Sequence, residues 1–110
     1  SRMSQARDLC RSSLTHFVSG RLDEAIEGFR NAIAVDATLP LAWNGLSKAL
    51  ERSGDLDGAL EAARRLAELD PDDPLSHTNL SQLYQRKGMI PEAEQAKATA
   101  TRLQMQQNRR

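Results

Sequence analysis

Cys10 is the single cysteine among 110 residues. No internal disulfide can form, and a reducing, cytoplasmic location is expected. Aromatics are scarce at 4% (Phe17, Phe29, Trp43 and Tyr84). That disfavours a β-sandwich, which packs through aromatic and β-branched side chains. Neither sign of charge is in excess, since fifteen basic and fifteen acidic residues cancel. Such a chain lacks the basic surplus that gives nucleic-acid binders their affinity. No apolar run approaches the roughly 18 residues that span a bilayer, and the opening Ser1-Arg2-Met3-Ser4-Gln5 has no apolar core like that of a secretory signal. Neither nucleic acid nor membrane is an expected partner. Ser1-Arg2 ahead of Met3 fits a cloning remnant.

Catalytic and metal signatures are missing as well. No phosphate loop, dinucleotide fingerprint or HExxH occurs. Cys10 and His16 sit six residues apart on one expected helix and point in different directions. His16 and His77 have no neighbouring cysteines and form no metal site. Asp70, Asp72 and Asp73 resemble a calcium loop only superficially, because two prolines interrupt them and the needed glycine and glutamate are absent. An enzyme, a cofactor and a metal are therefore not expected.

What is present is an internal repeat. Gly20, Gly54 and Gly88 lie 34 residues apart, twice over. Ala25, Ala59 and Ala93 keep the interval, as do Ser13, Ser47 and Ser81. Leu22, Leu56 and Ile90, and Val35, Leu69 and Leu103, share it too. The repeats run over 6–39, 40–73 and 74–107 within one unit spanning 1–110. In the second, Ala42, Leu46, Ala49 and Leu50 recur at helical spacing, as do Leu56, Ala59, Leu60, Ala63 and Leu66. Gly54 stops one helix and Asp55 caps the next. Asp73 is a natural N-cap with Pro74 at the first helical position, and Pro40 and Pro91 act alike. The spacing predicts six helices at 4–18, 22–35, 40–52, 56–69, 74–87 and 91–107.

The second repeat carries Trp43, Leu46-Ser47, Leu50, Ala59, Ala63 and Pro71. The third has His77, Leu80-Ser81, Tyr84, Ala93 and Lys97, and the first Leu9, Ser12-Ser13, His16, Ala25, Phe29 and Ala37. On these residues the chain resembles the tetratricopeptide repeat, a 34-residue helix-turn-helix unit. Serine replaces the small glycine in every copy. The resemblance implies an all-α, right-handed α-α superhelix, a solenoid of three hairpins with first helices lining a concave groove. By that register His16 and His77 take aromatic positions and are expected in the core.

The resemblance also implies a non-catalytic adaptor or scaffold that binds a peptide or protein segment in the groove. Exposed first-helix positions are expected at Arg7, Cys10, Arg11, Leu14 and Val18, then Leu41, Asn44, Lys48, Glu51 and Arg52, then Leu75, Thr78, Asn79, Gln82, Gln85 and Arg86. From these the candidate site residues are Arg7, Arg11, Leu14, Asn44, Lys48, Arg52, Asn79, Gln82 and Arg86. The family's clamp for chaperone-tail carboxylates is not expected, because Cys10, Leu14, Gly45, Leu75 and Asn79 stand where it needs cations and asparagines.

The alternative is a self-assembling module forming a weak homodimer. Seven acids between Asp55 and Asp73 face only Arg64 and Arg65, and after Glu94 only Lys97, Arg102, Arg109 and Arg110 carry charge. Opposite charges of this kind can align copies of a chain. Single-stranded RNA binding would need a basic groove, against the zero net charge.

Overall fold

The structure, a computed structural model, describes residues 1–109; Arg110, counted above in the basic tail, lies outside the described residues. Six helices follow one another: α1 (Arg2–Val18), α2 (Leu22–Val35), α3 (Pro40–Ser53), α4 (Leu56–Leu69), α5 (Pro74–Arg86) and α6 (Ile90–Asn108). α1 begins two residues earlier than the spacing predicts, because the Ser1 hydroxyl accepts the Ser4 N–H at 3.2 Å and caps the helix. Among the described residues no helix is long and apolar enough to cross a membrane.

The hairpin turns repeat one backbone design. Gly54 ends α3 at φ +93°, in the left-handed region that glycine enters without steric cost. Its N–H reaches back to the Glu51 carbonyl, and the next N–H, of Asp55, to that of Leu50 at 2.9 Å. Gly20 and Gly88 place the same pair of bonds at the other two hairpins, ending in Arg21 to His16 and Met89 to Tyr84. Asp55 then caps α4 by accepting the Gly58 N–H at 2.9 Å. At the boundary between repeats, Asp73 accepts the Leu75 N–H and Pro74 opens α5.

Small residues let the helices close. Ala25, Ala59 and Ala93 are wholly buried. Opposite them, the Ser47 hydroxyl donates to the Ala59 carbonyl at 2.8 Å, and that of Ser81 to Ala93 at 2.9 Å. The first hairpin departs from this pattern, for the Ser13 hydroxyl turns to its own helix and donates to the Leu9 carbonyl at 2.7 Å. Each helix packs on the next, and α1 also meets α3. No comparably close backbone approach joins α3 to α5.

The two histidines correct the sequence reading, since neither lies in the core. His77 is half-buried, and its Nε2 is 2.7 Å from the Pro71 carbonyl. A carbonyl only accepts, so this nitrogen carries the proton. One repeat earlier the Trp43 Nε1–H donates to the Ala37 carbonyl at 2.8 Å in the same way. The position thus holds a ring donor that ties down an inter-repeat turn, which keeps it near the surface. His16 is half-buried too, its Nδ1 accepting from Arg21 at 3.2 Å.

Candidate peptide-binding groove

The concave side opens between α1 and α3 into a cavity of about 310 Å³. Its floor is the Phe29 ring, sent up from α2. Gly45 makes room for that ring, because a Cβ at 45 would fall within 3.0 Å of Phe29 Cδ1, Cε1 and Cζ. Leu14, Phe17 and Leu41 form apolar walls, and Arg7, Arg11, Asn44 and Lys48 complete the lining. Leu14 and Leu41 stay about half exposed, at 52% and 49%. Apolar walls with a few polar groups are the usual make-up of a binding pocket.

Cys10, one of the first-helix positions read as exposed and also as a small groove residue or partial core filler, lines the cavity at its base but is 1% exposed. Burial pushes its thiol above the ordinary range, against the opposing pull of the Arg7 charge. A thiol held protonated is a weak nucleophile.

A second, shallower depression continues past Leu41, Asn44 and Lys48, which line both, toward Asp70, Asp73, Leu75 and Asn79. Side chains bridge α3 and α5 here. The Lys48 ammonium donates to Asn79 Oδ1 at 3.3 Å, and Asn79 Nδ2 to Asn44 Oδ1 at 3.4 Å. Of the nine candidate residues, Arg7, Arg11, Leu14, Asn44, Lys48 and Asn79 therefore gather along the two depressions.

The other three line neither depression. Arg52 stacks on the Phe17 ring, 4.2 Å from its centroid. Arg86 pairs with Glu51 at 2.9 Å, and Gln82 is exposed on α5. Leu41, expected on the exposed first-helix face, lines the cavity, whereas Phe17, Phe29 and Gly45 were not expected there. A glycine inside a helical pattern was the available signal, since it costs about 1 kcal/mol relative to alanine and usually has a packing reason.

Among the described residues, no three His, Cys, Asp or Glu side chains gather as a metal would need. The groove instead offers apolar surface, cations and amides.

Comparison with known proteins agrees with this architecture. The crystal structure of MamA superposes with a TM-score of 0.92 at 20% identity, covering 96% of this chain and 61% of that one. This chain thus spans about three-fifths of that relative. The second TPR of Spaghetti (RPAP3) bound to the HSP90 peptide SRMEEVD superposes at 0.85 with 21% identity, covering 92% of this chain and 94% of that one. The type III secretion chaperone SycD of Yersinia enterocolitica, in complex with a peptide of the translocator YopD, gives 0.85 at 21% identity, covering 91% and 76%. At such identities the likeness is one of fold. No curated protein matches the sequence. The tetratricopeptide-repeat family model matches residues 10–74, and a second model of that family residues 62–95. With its 34-residue period, six helices and this match over more than half its length, the chain belongs to the tetratricopeptide-repeat family.

Proposed function

We propose that this chain is a non-catalytic adaptor that holds a peptide or protein segment in its concave groove. The observation that carries the reading is the cavity over Phe29, apolar at its base and cationic at its rim. Peptide complexes of similarly folded chains, with the HSP90 and YopD peptides, lend support. Arg7, Arg11, Leu14, Asn44, Lys48 and Asn79 are the residues assigned to contact the segment. The test is selection from a random 12-residue peptide library against the chain and against a blocked chain carrying Leu14→Glu and Leu41→Glu. Both leucines are half exposed, so the blocked chain should keep its helical circular dichroism. Enriched peptides should lose binding to it at least tenfold. Peptides that bind both chains equally, or no enrichment at all, overturn the reading.

A second reading, a self-assembling module, draws on the outer face of α6. A shallow cleft there is lined by Ala98 and Met105 with Lys97, Arg102 and Arg109 against the single carboxylate of Glu94. This basic face is complementary to the acidic turn at Asp70, Asp72 and Asp73. Sedimentation across protein concentration at low and high salt tests it, and a single monomeric species throughout rejects it.

A further inference from the structure

We infer that the groove takes a segment in which one apolar side chain lies between a carboxylate on the α1 side and a cation on the α5 side. This rests on the adaptor reading and adds the chemistry of the partner. The argument is one of charge complementarity along two joined depressions. Around the first, Arg7, Arg11 and Lys48 face the opening, and no carboxylate lines it. Arg7 has no ion pair among the described residues, and Arg11 meets only Asp8, at 3.5 Å between two well-exposed side chains. Lys48 is bonded to a neutral amide. Arg52, stacked behind the cavity wall on the Phe17 ring, adds to the positive charge of this end, whereas Arg86 further along is paired with Glu51.

At the other depression the sign reverses. Asp70 and Asp73 line it, Asp73 with one oxygen already accepting the Leu75 N–H, and Lys48 is the cation at the junction of the two. The apolar surface is shared, because Leu41 faces both and Leu75, 66% exposed, stands beside the acids. An apolar anchor fits over Phe29 and Leu41, where its burial supplies the non-directional part of the affinity. Flanking charges then set the orientation, since a like charge at either end is repelled. These contacts are rim-exposed, so each should change affinity by up to about fivefold and weaken with salt.

The test uses fluorescence anisotropy with labelled 12-residue peptides built on one Ser-Phe step, whose Phe is the anchor. Two carry Asp-Glu on one side and Lys-Arg on the other, in opposite chain directions. The rest carry basic pairs on both sides, acidic pairs on both sides, or Ser-Ser in place of the anchor. One of the mixed peptides should bind tightest, the doubly basic one at least fivefold weaker, and the anchorless one weakest. Arg7→Glu with Arg11→Glu should shift preference to the doubly basic peptide, and Asp70→Lys to the doubly acidic one. Panel binding that is indifferent to these reversals overturns the inference. So does failure of the whole panel while library-selected peptides still bind and are lost from the Leu14→Glu, Leu41→Glu chain; in either case the adaptor reading stands. Only failure of the library as well would take both down.

Discussion

Gly45 of α3 lies so close against the Phe29 ring of α2 that position 45 has no space for a Cβ. One repeat on, the corresponding residues are Asn79 and Ala63. The first joint between repeats thus pairs a large residue with none, and the second pairs a small one with a polar side chain that turns to Lys48 and Asn44. This asymmetry places the apolar cavity at the α1 end of the groove.

Gly45→Ala should therefore destabilise the fold. Overpacking costs about 1–3 kcal/mol and the gain in helix propensity offsets about 1 kcal/mol, leaving a net loss near 1 kcal/mol. In a Phe29→Leu background the same change should raise stability, because the ring is gone. Urea midpoints of the four chains check this, and a stabilising Gly45→Ala in the parent contradicts the packing.

The hydroxyls of Ser47 and Ser81 bond across their hairpins, whereas that of Ser13 bonds within its own helix. Ser47→Ala and Ser81→Ala should each cost about 1 kcal/mol. Ser13→Ala should be close to neutral, because a bond to the preceding turn adds little to a helix. Thermal unfolding of the three variants separates the cases; equal losses at all three sites would refute the distinction.

Much of the fold was legible because its signals are local. Gly54, Asp55, Asp73 and Pro74 mark helix ends by backbone conformation and capping, which neighbouring residues decide. The groove was legible only in part. Phe29 belongs to a second helix, and its register reads as hairpin core; that its ring reaches the concave side depends on the missing side chain at Gly45. The cross-groove pairs Asn44–Asn79 and Glu51–Arg86 lie 35 residues apart, one more than the repeat. That offset comes from the stagger of successive hairpins, which a 34-residue register does not contain. His77 misled for a similar reason, because its partner is a turn carbonyl rather than a packed side chain.

Ala59 is wholly buried where α3 and α4 close, beneath the Ser47 bond. Ala59→Leu should overpack this hairpin and lower stability by about 3 kcal/mol. An unfolding temperature equal to the parent's would place residue 59 elsewhere.

The raised Cys10 pKa makes stability depend on alkaline pH. The unfolded thiol ionises near its ordinary value of 9.0, while the folded thiol still holds its proton. The contribution is therefore complete below that value and declines as pH rises above it. Urea unfolding at about pH 8 and about pH 10 should show a steeper loss for the parent than for Cys10→Ala. Identical slopes would mean that the buried thiol titrates as in the open chain.

The close approach of α1 to α3, without a counterpart between α3 and α5, divides the groove mechanically. On one side backbone meets backbone, and close-packed interiors resist compression. On the other, the concave edge is spanned by Lys48, Asn44, Asn79 and the Glu51–Arg86 pair, bonds worth about 1 kcal/mol or less each. Behind this edge the α5–α6 leaf is held by the α4–α5 seam, which includes the Lys87–Asp57 and Arg64–Tyr84 contacts. For the adaptor proposed above, this division means that an apolar anchor would meet the backbone-packed side, and that ligands of different length and bulk would differ mainly in what they meet at the acidic end.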